Sequence, residues 1–208
     1  FQNIDQSQPF FAIVQTATNH RPYSIPKNIE GFNLIDVDKT VSSNAGFDSK
    51  EQYNAMRLLD HAVGEYISSA KTAPYFNNTI FLFFGDHGTS DPRALHMPNS
   101  DYDLKLRSYQ VPFFIYGPEH IKGGIVRNDV SQLVDLSPTV IGLAGKPYEN
   151  RTMGRDLLNG EIPIDPLALI INKKMARPHI AVIGQDYYLS LANRGGGFRV
   201  KLHELWSD

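Results

Sequence analysis

The chain has 208 residues, long enough for one domain with a sizeable core, or one domain plus a small appendage. Hydrophobic residues make up 41% and charged residues 20%, values ordinary for a soluble globular protein, and no run of 18 apolar residues exists to form a transmembrane helix. Twenty basic against twenty-two acidic residues give a formal charge of -2, which excludes a polybasic surface for nucleic acid, and the lack of cysteine excludes disulfides and thiolate metal sites.

Phe1 opens directly into the sequence with neither an initiator Met nor a basic leader. The first apolar run, Phe10 to Thr16, has the length and continuity of a buried strand, with almost nothing before it. So abrupt a start suggests part of a longer protein. The polar TNHRPYSIPKN follows, and Pro22 and Pro26 exclude a helix there. His20 and Arg21 are therefore expected on a loop leaving the strand's carboxyl end. From Ser49 to Ala70, Tyr53, Met56, Leu59 and Tyr66 recur at helical intervals, predicting an amphipathic helix.

TIFLFF predicts a second buried strand, running into GDHGTSDPR, and VPFFIYG predicts a third over Val111 to Gly117. SQLVDLSPTVIGLAG predicts a pair of helices with Ser131 and Ser137 as N-caps. Beyond Leu167, short strand-like runs joined by turns such as NRGGG predict an antiparallel sheet. The expected architecture is α/β: buried strands flanked by helices over residues 1–160, then a small antiparallel β subdomain over residues 161–208.

Ligands of open α/β sheets gather at the carboxyl ends of strands, where TNHRPY and GDHGTSD both fall. An Asp-His dipeptide on a loop is more often a turn former beside a solvated histidine than a metal site. Here, however, five consecutive apolar residues, Ile80 to Phe84, deliver Asp86 and His87 to a strand end between two glycines. Carboxylate plus imidazole suits Zn²⁺ or Mn²⁺ better than an all-oxygen Ca²⁺ site.

FLFFGDHG, VPFFIYGP, VSQLVDLSPTVIGLAG and GRDLL, in this order, resemble the C-terminal half of the sulfatase branch of the alkaline phosphatase superfamily. TATNHRPYSIP is most similar to the lipoteichoic acid synthase and phosphoglycerol transferase group, and YNAMRLLDHAVGEYI fits the helix before the metal strand. The resemblance implies an alkaline-phosphatase-like mixed sheet, present in part, and one divalent metal, Mn²⁺ or Zn²⁺ rather than Ca²⁺ or Mg²⁺. Asp86 and His87 match the adjacent metal ligands. His20 matches the histidine that faces the substrate's phosphate and glycerol, and His96 aligns loosely with a further histidine near the transferred group. Arg21 suits an anion contact by charge and position, although the family motif does not demand it.

The superfamily attacks phosphorus or sulfur with a Thr, a Ser or a modified Cys. No such element appears in this chain: it has no Cys, and no Cys/Ser-x-Pro-x-Arg motif follows a strand. The expectation is therefore half of an active site, inert alone, from a phosphoglycerol-transferase-like enzyme anchored at the outer face of a bacterial membrane. Its substrate is expected to be a phosphorylated or sulfated small molecule or lipid. A sulfatase acting on sulfate esters and a non-catalytic binding or sensor domain are the alternatives. A chain cut through its parent sheet is also expected to self-associate.

Overall fold

The computed structural model describes residues 5, 7–89, 92–159, 163–172, 179–193 and 197–205. It divides into two compact units. The first holds Phe1–Gly85, Thr89–Met97 and Val111–Gly124; the second holds Asp86–Gly88, Pro98–Gln110 and Ile125–Asp208.

In the first unit, Asp38 caps α1 (Lys39–Asn44) by accepting hydrogen bonds from the Thr40 and Val41 amides. Ser49 caps α2 (Lys50–Ala70), its hydroxyl accepting from the Gln52 amide at 3.2 Å. The predicted helix is thus present almost to the residue. Its buried Asn54 accepts from the Ile35 amide and donates to the Ile35 and Lys50 carbonyls, so one polar side chain holds the 33–36 segment against the helix. Strands β1 (Phe81–Phe84) and β2 (Phe113–Tyr116) pair antiparallel, Phe81 opposite Tyr116 and Phe84 opposite Phe113. Cross-strand stacking of Phe83 on Phe114, centroids 4.7 Å apart, reinforces the pair. Ala70, Phe76 and Phe81 form the core of this unit.

The run Phe10 to Thr16, expected as a buried strand, is not in a ladder among the described residues. Phe11, Ile13 and Val14 are 72%, 78% and 68% exposed. The physical reason is that a strand exists only through a neighbour's hydrogen bonds; apolar composition specifies a face to bury and cannot supply the neighbour.

In the second unit, α3 (Asn99–Asp103) leads to a 3-10 turn over Leu106–Ser108. The predicted helix pair is instead one 3-10 turn, Leu133–Asp135, running directly into α4 (Leu136–Leu143). Gln132, not Ser131, is its cap, in a reciprocal box with Asp135. Ser137 lies within α4, and Pro138 is tolerated because it falls in the first turn, where its missing N–H has no helical acceptor. Fully buried Thr139 donates to the Asp135 carbonyl at 2.6 Å and accepts from the Leu157 amide at 3.0 Å, fixing the GRDLL segment to α4.

The same segment is held by charge. Asp129 accepts from Arg127 through both carboxylate oxygens and from Arg155 at 2.6 Å, while Arg127 also donates to the Leu157 carbonyl. These cations hold the Asp129 carboxyl down at about 2, Arg127 contributing most.

The expected antiparallel sheet is present as β3 (Ala168–Asn172), β4 (His179–Ile183), β5 (Tyr187–Asn193) and β6 (Phe198–Glu204), in sequential order. Leu106, Ile170, Ala181, Tyr188 and Leu205 form its core. Burial, with Tyr109 adding a smaller effect, pushes the Tyr188 hydroxyl up to about 12. No helix among the described residues is long and apolar enough to cross a membrane.

Candidate metal and anion site

Asp86 and His87 lie in the bend immediately after β1 and Gly85. Asp86 Oδ1 accepts the His87 amide at 2.9 Å, which folds the carboxylate back over its own successor. His87 Nδ1 lies 2.8 Å from the Gly88 carbonyl oxygen. A carbonyl can only accept, so Nδ1 donates, and in the neutral ring the lone pair lies on Nε2. A backbone carbonyl on one ring nitrogen commonly fixes a metal-binding histidine with the other nitrogen free. Nε2 lies 3.9 Å from Asp86 Oδ2, and both side chains are exposed, 66% for His87 and 80% for Asp86.

Gly88 sets this bend. Its amide donates to the Ser108 carbonyl at 3.1 Å, and a Cβ in its place would lie 1.7 Å from the Arg107 carbonyl oxygen. Only glycine permits that approach. Arg107, whose backbone underlies the bend, has a buried Nη1 with no hydrogen-bond partner among the described residues.

The donor set fits part of a divalent site. One carboxylate and one imidazole, with His87 Nε2 and Asp86 Oδ2 3.9 Å apart, are two suitable ligand types for Zn²⁺ or Mn²⁺. No group of three His, Asp or Glu able to hold a metal exists among the described residues.

His20, Arg21 and His96 belong to the first unit. His20 Nδ1 donates to the Arg21 carbonyl at 2.7 Å, so in the neutral ring Nε2 is the acceptor, and the side chain is exposed. Arg21 pairs with Asp48 at 2.8 Å and lies over the Tyr23 ring, 5.6 Å from its centroid. Part of its charge is therefore already engaged. Exposed His96 sits in a turn closed by the Met97 amide on the Ala94 carbonyl, and the Leu95 amide donates to the Asn44 carbonyl at 2.8 Å.

Sequence reasoning missed this last tether. Arg21 reaches Asp48 and Leu95 reaches Asn44, so the His20 and His96 loops are both fastened to the short α1–α2 junction. The signal was available in AGFDS, where Gly46 at φ 84° and the Ser49 cap mark a tight junction able to receive loops.

The sulfatase family model matches residues 1–146. Lipoteichoic acid synthase of Staphylococcus aureus (strain USA300) is 31% identical over 164 residues, covering 73% of this chain and 23% of that protein. This chain therefore spans about a quarter of the curated relatives it matches. Among solved structures, a Bacteroides fragilis protein assigned to the sulfatases superimposes with a TM-score of 0.59 at 20% identity, covering 84% of this chain and 40% of that one. A 2-O GAG sulfatase superimposes with a TM-score of 0.55, also at 20% identity, over 79% of this chain and 38% of its own. These structural matches establish the α/β, alkaline-phosphatase-like fold. With the match over residues 1–146 and the order of its motifs, the chain belongs to the sulfatase family.

Proposed function

We propose that this chain is the metal-binding half of a phosphoglycerol-transferase-like enzyme, which cleaves or transfers a phosphodiester on a glycerophospholipid or polyol phosphate at the outer face of a bacterial membrane. The single observation that carries the metal role is the His87 ring, whose Nδ1 is committed to the Gly88 carbonyl while Nε2 retains its lone pair beside the Asp86 carboxylate. A divalent ion there supplies Lewis-acid polarisation of a phosphoryl oxygen and a lowered pKa for an attacking hydroxyl.

The chain's own groups then bind and orient. The His20 ring, with Nε2 unprotonated when neutral, accepts a hydrogen bond from a substrate hydroxyl, and the same ring contacts phosphoryl oxygen when protonated. His96 is assigned a similar place beside the transferred group, and Arg21 a peripheral anion contact limited by Asp48. Support for phosphate over sulfate comes from the Asn19-His20-Arg21-Pro22 loop and the 31% identity to lipoteichoic acid synthase.

The nucleophile and the remaining ligands are assigned to a segment outside these 208 residues. The test compares this chain alone with a polypeptide joining it to the segment encoded before Phe1. Assayed with Mn²⁺ against phosphatidylglycerol and an aryl sulfate, the joined polypeptide is expected to turn over the phosphodiester, and this chain neither. Turnover by the 208-residue chain alone, or of the sulfate ester alone, contradicts the proposal.

A further inference from the structure

The Asp86–Gly88 bend belongs to the same compact unit as the C-terminal sheet. Between them lies the segment Pro98–Gln110, which carries α3 and the 3-10 turn Leu106–Ser108. Its backbone carbonyls close on Gly88. The Ser108 oxygen accepts the Gly88 amide at 3.1 Å, and a Cβ on Gly88 would overlap the Arg107 oxygen and lie 2.7 Å from that of Gln110. Gly88 in turn supplies the carbonyl that His87 Nδ1 engages at 2.8 Å. The 107–110 backbone therefore sets where that acceptor stands.

The turn is anchored in the sheet. Leu106 is 4% exposed and packs with Ile170, Ala181 and Tyr188, from β3, β4 and β5, and with Leu205 just after β6. The Leu106 carbonyl accepts the Tyr109 amide at 2.9 Å and the Gln110 amide at 3.0 Å, so the anchored residue also orders the backbone that meets Gly88. Two polar ties add to it: Asn172 Nδ2 donates to the Tyr109 hydroxyl at 2.9 Å, and Ser100 Oγ donates to the Leu205 carbonyl at 3.0 Å. A fully buried leucine outweighs either tie. Lys105, which opens the turn, is left-handed at φ 55°, a conformation that a residue with a Cβ keeps only where its surroundings impose it.

We propose that Leu106 is a positioning residue for His87. The C-terminal sheet holds the 106–110 turn, the turn fixes Gly88, and the Gly88 carbonyl commits the His87 ring to the Nδ1–H tautomer. The consequence for a cation rests on the metal role proposed above for His87, whose Nε2 is the nitrogen left to bind one. His20 supplies the contrast. Its Nδ1 also donates to a backbone carbonyl, that of Arg21, but within its own loop and in the other unit. Both rings favour one tautomer, and the sheet governs only that of His87.

Long-range ¹H–¹⁵N correlation of the histidine rings reads the tautomer without any metal. At about pH 8.5, where an imidazole is ordinarily neutral, the 208-residue protein is expected to show Nδ1–H at both His87 and His20. Leu106→Ala is expected to move His87 alone toward the mixture of tautomers of an unrestrained ring. Leu106→Met keeps the volume and is expected to retain Nδ1–H. Leu106→Val, a smaller truncation, decides the matter where Leu106→Ala does not fold. Mn²⁺ titration of the same proteins is expected to show binding weakened about 10- to 100-fold in the truncated variant, the cost of losing support for a metal ligand. A tautomer shift in a protein whose wild type binds no Mn²⁺ sustains the positioning role and removes the metal role. The positioning role is overturned by a wild-type His87 without Nδ1–H, by a His87 ring unchanged in the truncated variant, or by a His20 ring that shifts with it.

Discussion

Asp86→Ala and His87→Ala are each expected to lower phosphodiester turnover, in the polypeptide joined to its upstream segment, by more than about 10²-fold. The magnitude follows from metal chemistry: losing a group that merely supports a ligand costs about 10- to 100-fold in metal affinity or activity, and losing the ligand itself costs more. The His87 bond to Gly88 is such a support, made by backbone and beyond the reach of side-chain substitution. Stability should barely move, because both side chains are exposed and surface changes usually lie within about 0.5 kcal/mol. His87→Asn separates donor type from position. It exchanges an imidazole nitrogen for an amide oxygen, so residual activity should rise with Ca²⁺ relative to Mn²⁺. Equal activity of wild type and both alanine variants, at unchanged metal content, removes the pair from the site.

Asp129→Asn is expected to destabilise the second unit by about 2 kcal/mol at pH 7, without direct effect on the metal pair. The substitution leaves Arg127 and Arg155 facing a neutral amide in a setting where Asp129 is 13% exposed, and removing one member of a largely buried charge cluster is costly. The pH dependence has a definite sign. The carboxyl is depressed from 3.8 to about 2, so its contribution, about 2 kcal/mol, is complete above pH 4 and disappears as pH falls toward 2. Urea midpoints for wild type and Asp129→Asn should therefore converge between pH 4 and pH 2. A gap that persists at pH 2 assigns the loss to packing.

The elements legible in the sequence were those whose signal is local. The apolar spacing from Ser49 to Ala70 defines a helix without reference to anything distant, and the helix is there, with Ser49 as its cap. The C-terminal strands were legible because turns punctuate them and each pairs with its sequence neighbour. Phe10 to Thr16 was misread for the opposite reason, since its state depends on a partner strand that its own composition cannot specify. Gln132 displaced Ser131 as a cap because the reciprocal Asp135 bond, a pairwise property, outweighs single-residue preference.

The candidate site divides in the same way. The placement of Asp86 and His87 just past β1, at the end of an apolar run and between glycines, was legible. The commitment of His87 Nδ1 to a carbonyl was not, because it depends on the bend that Gly88 makes against Arg107 and Ser108, about twenty residues away in sequence. Likewise, His20 and His96 looked like independent loop residues. Their shared fastening to the α1–α2 junction rests on one ion pair and one backbone hydrogen bond; AGFDS marks the junction but not which loops it receives.

The most direct test of the metal assignment uses this chain as it stands. Mn²⁺ is titrated into the isotopically labelled 208-residue protein, and paramagnetic broadening is read residue by residue. Broadening should begin at Asp86, His87 and Gly88, only at high metal concentration because two side chains leave the coordination shell open, and Asp86→Ala should abolish it. Broadening centred on any other residues, or tight binding that survives Asp86→Ala, would contradict the assignment.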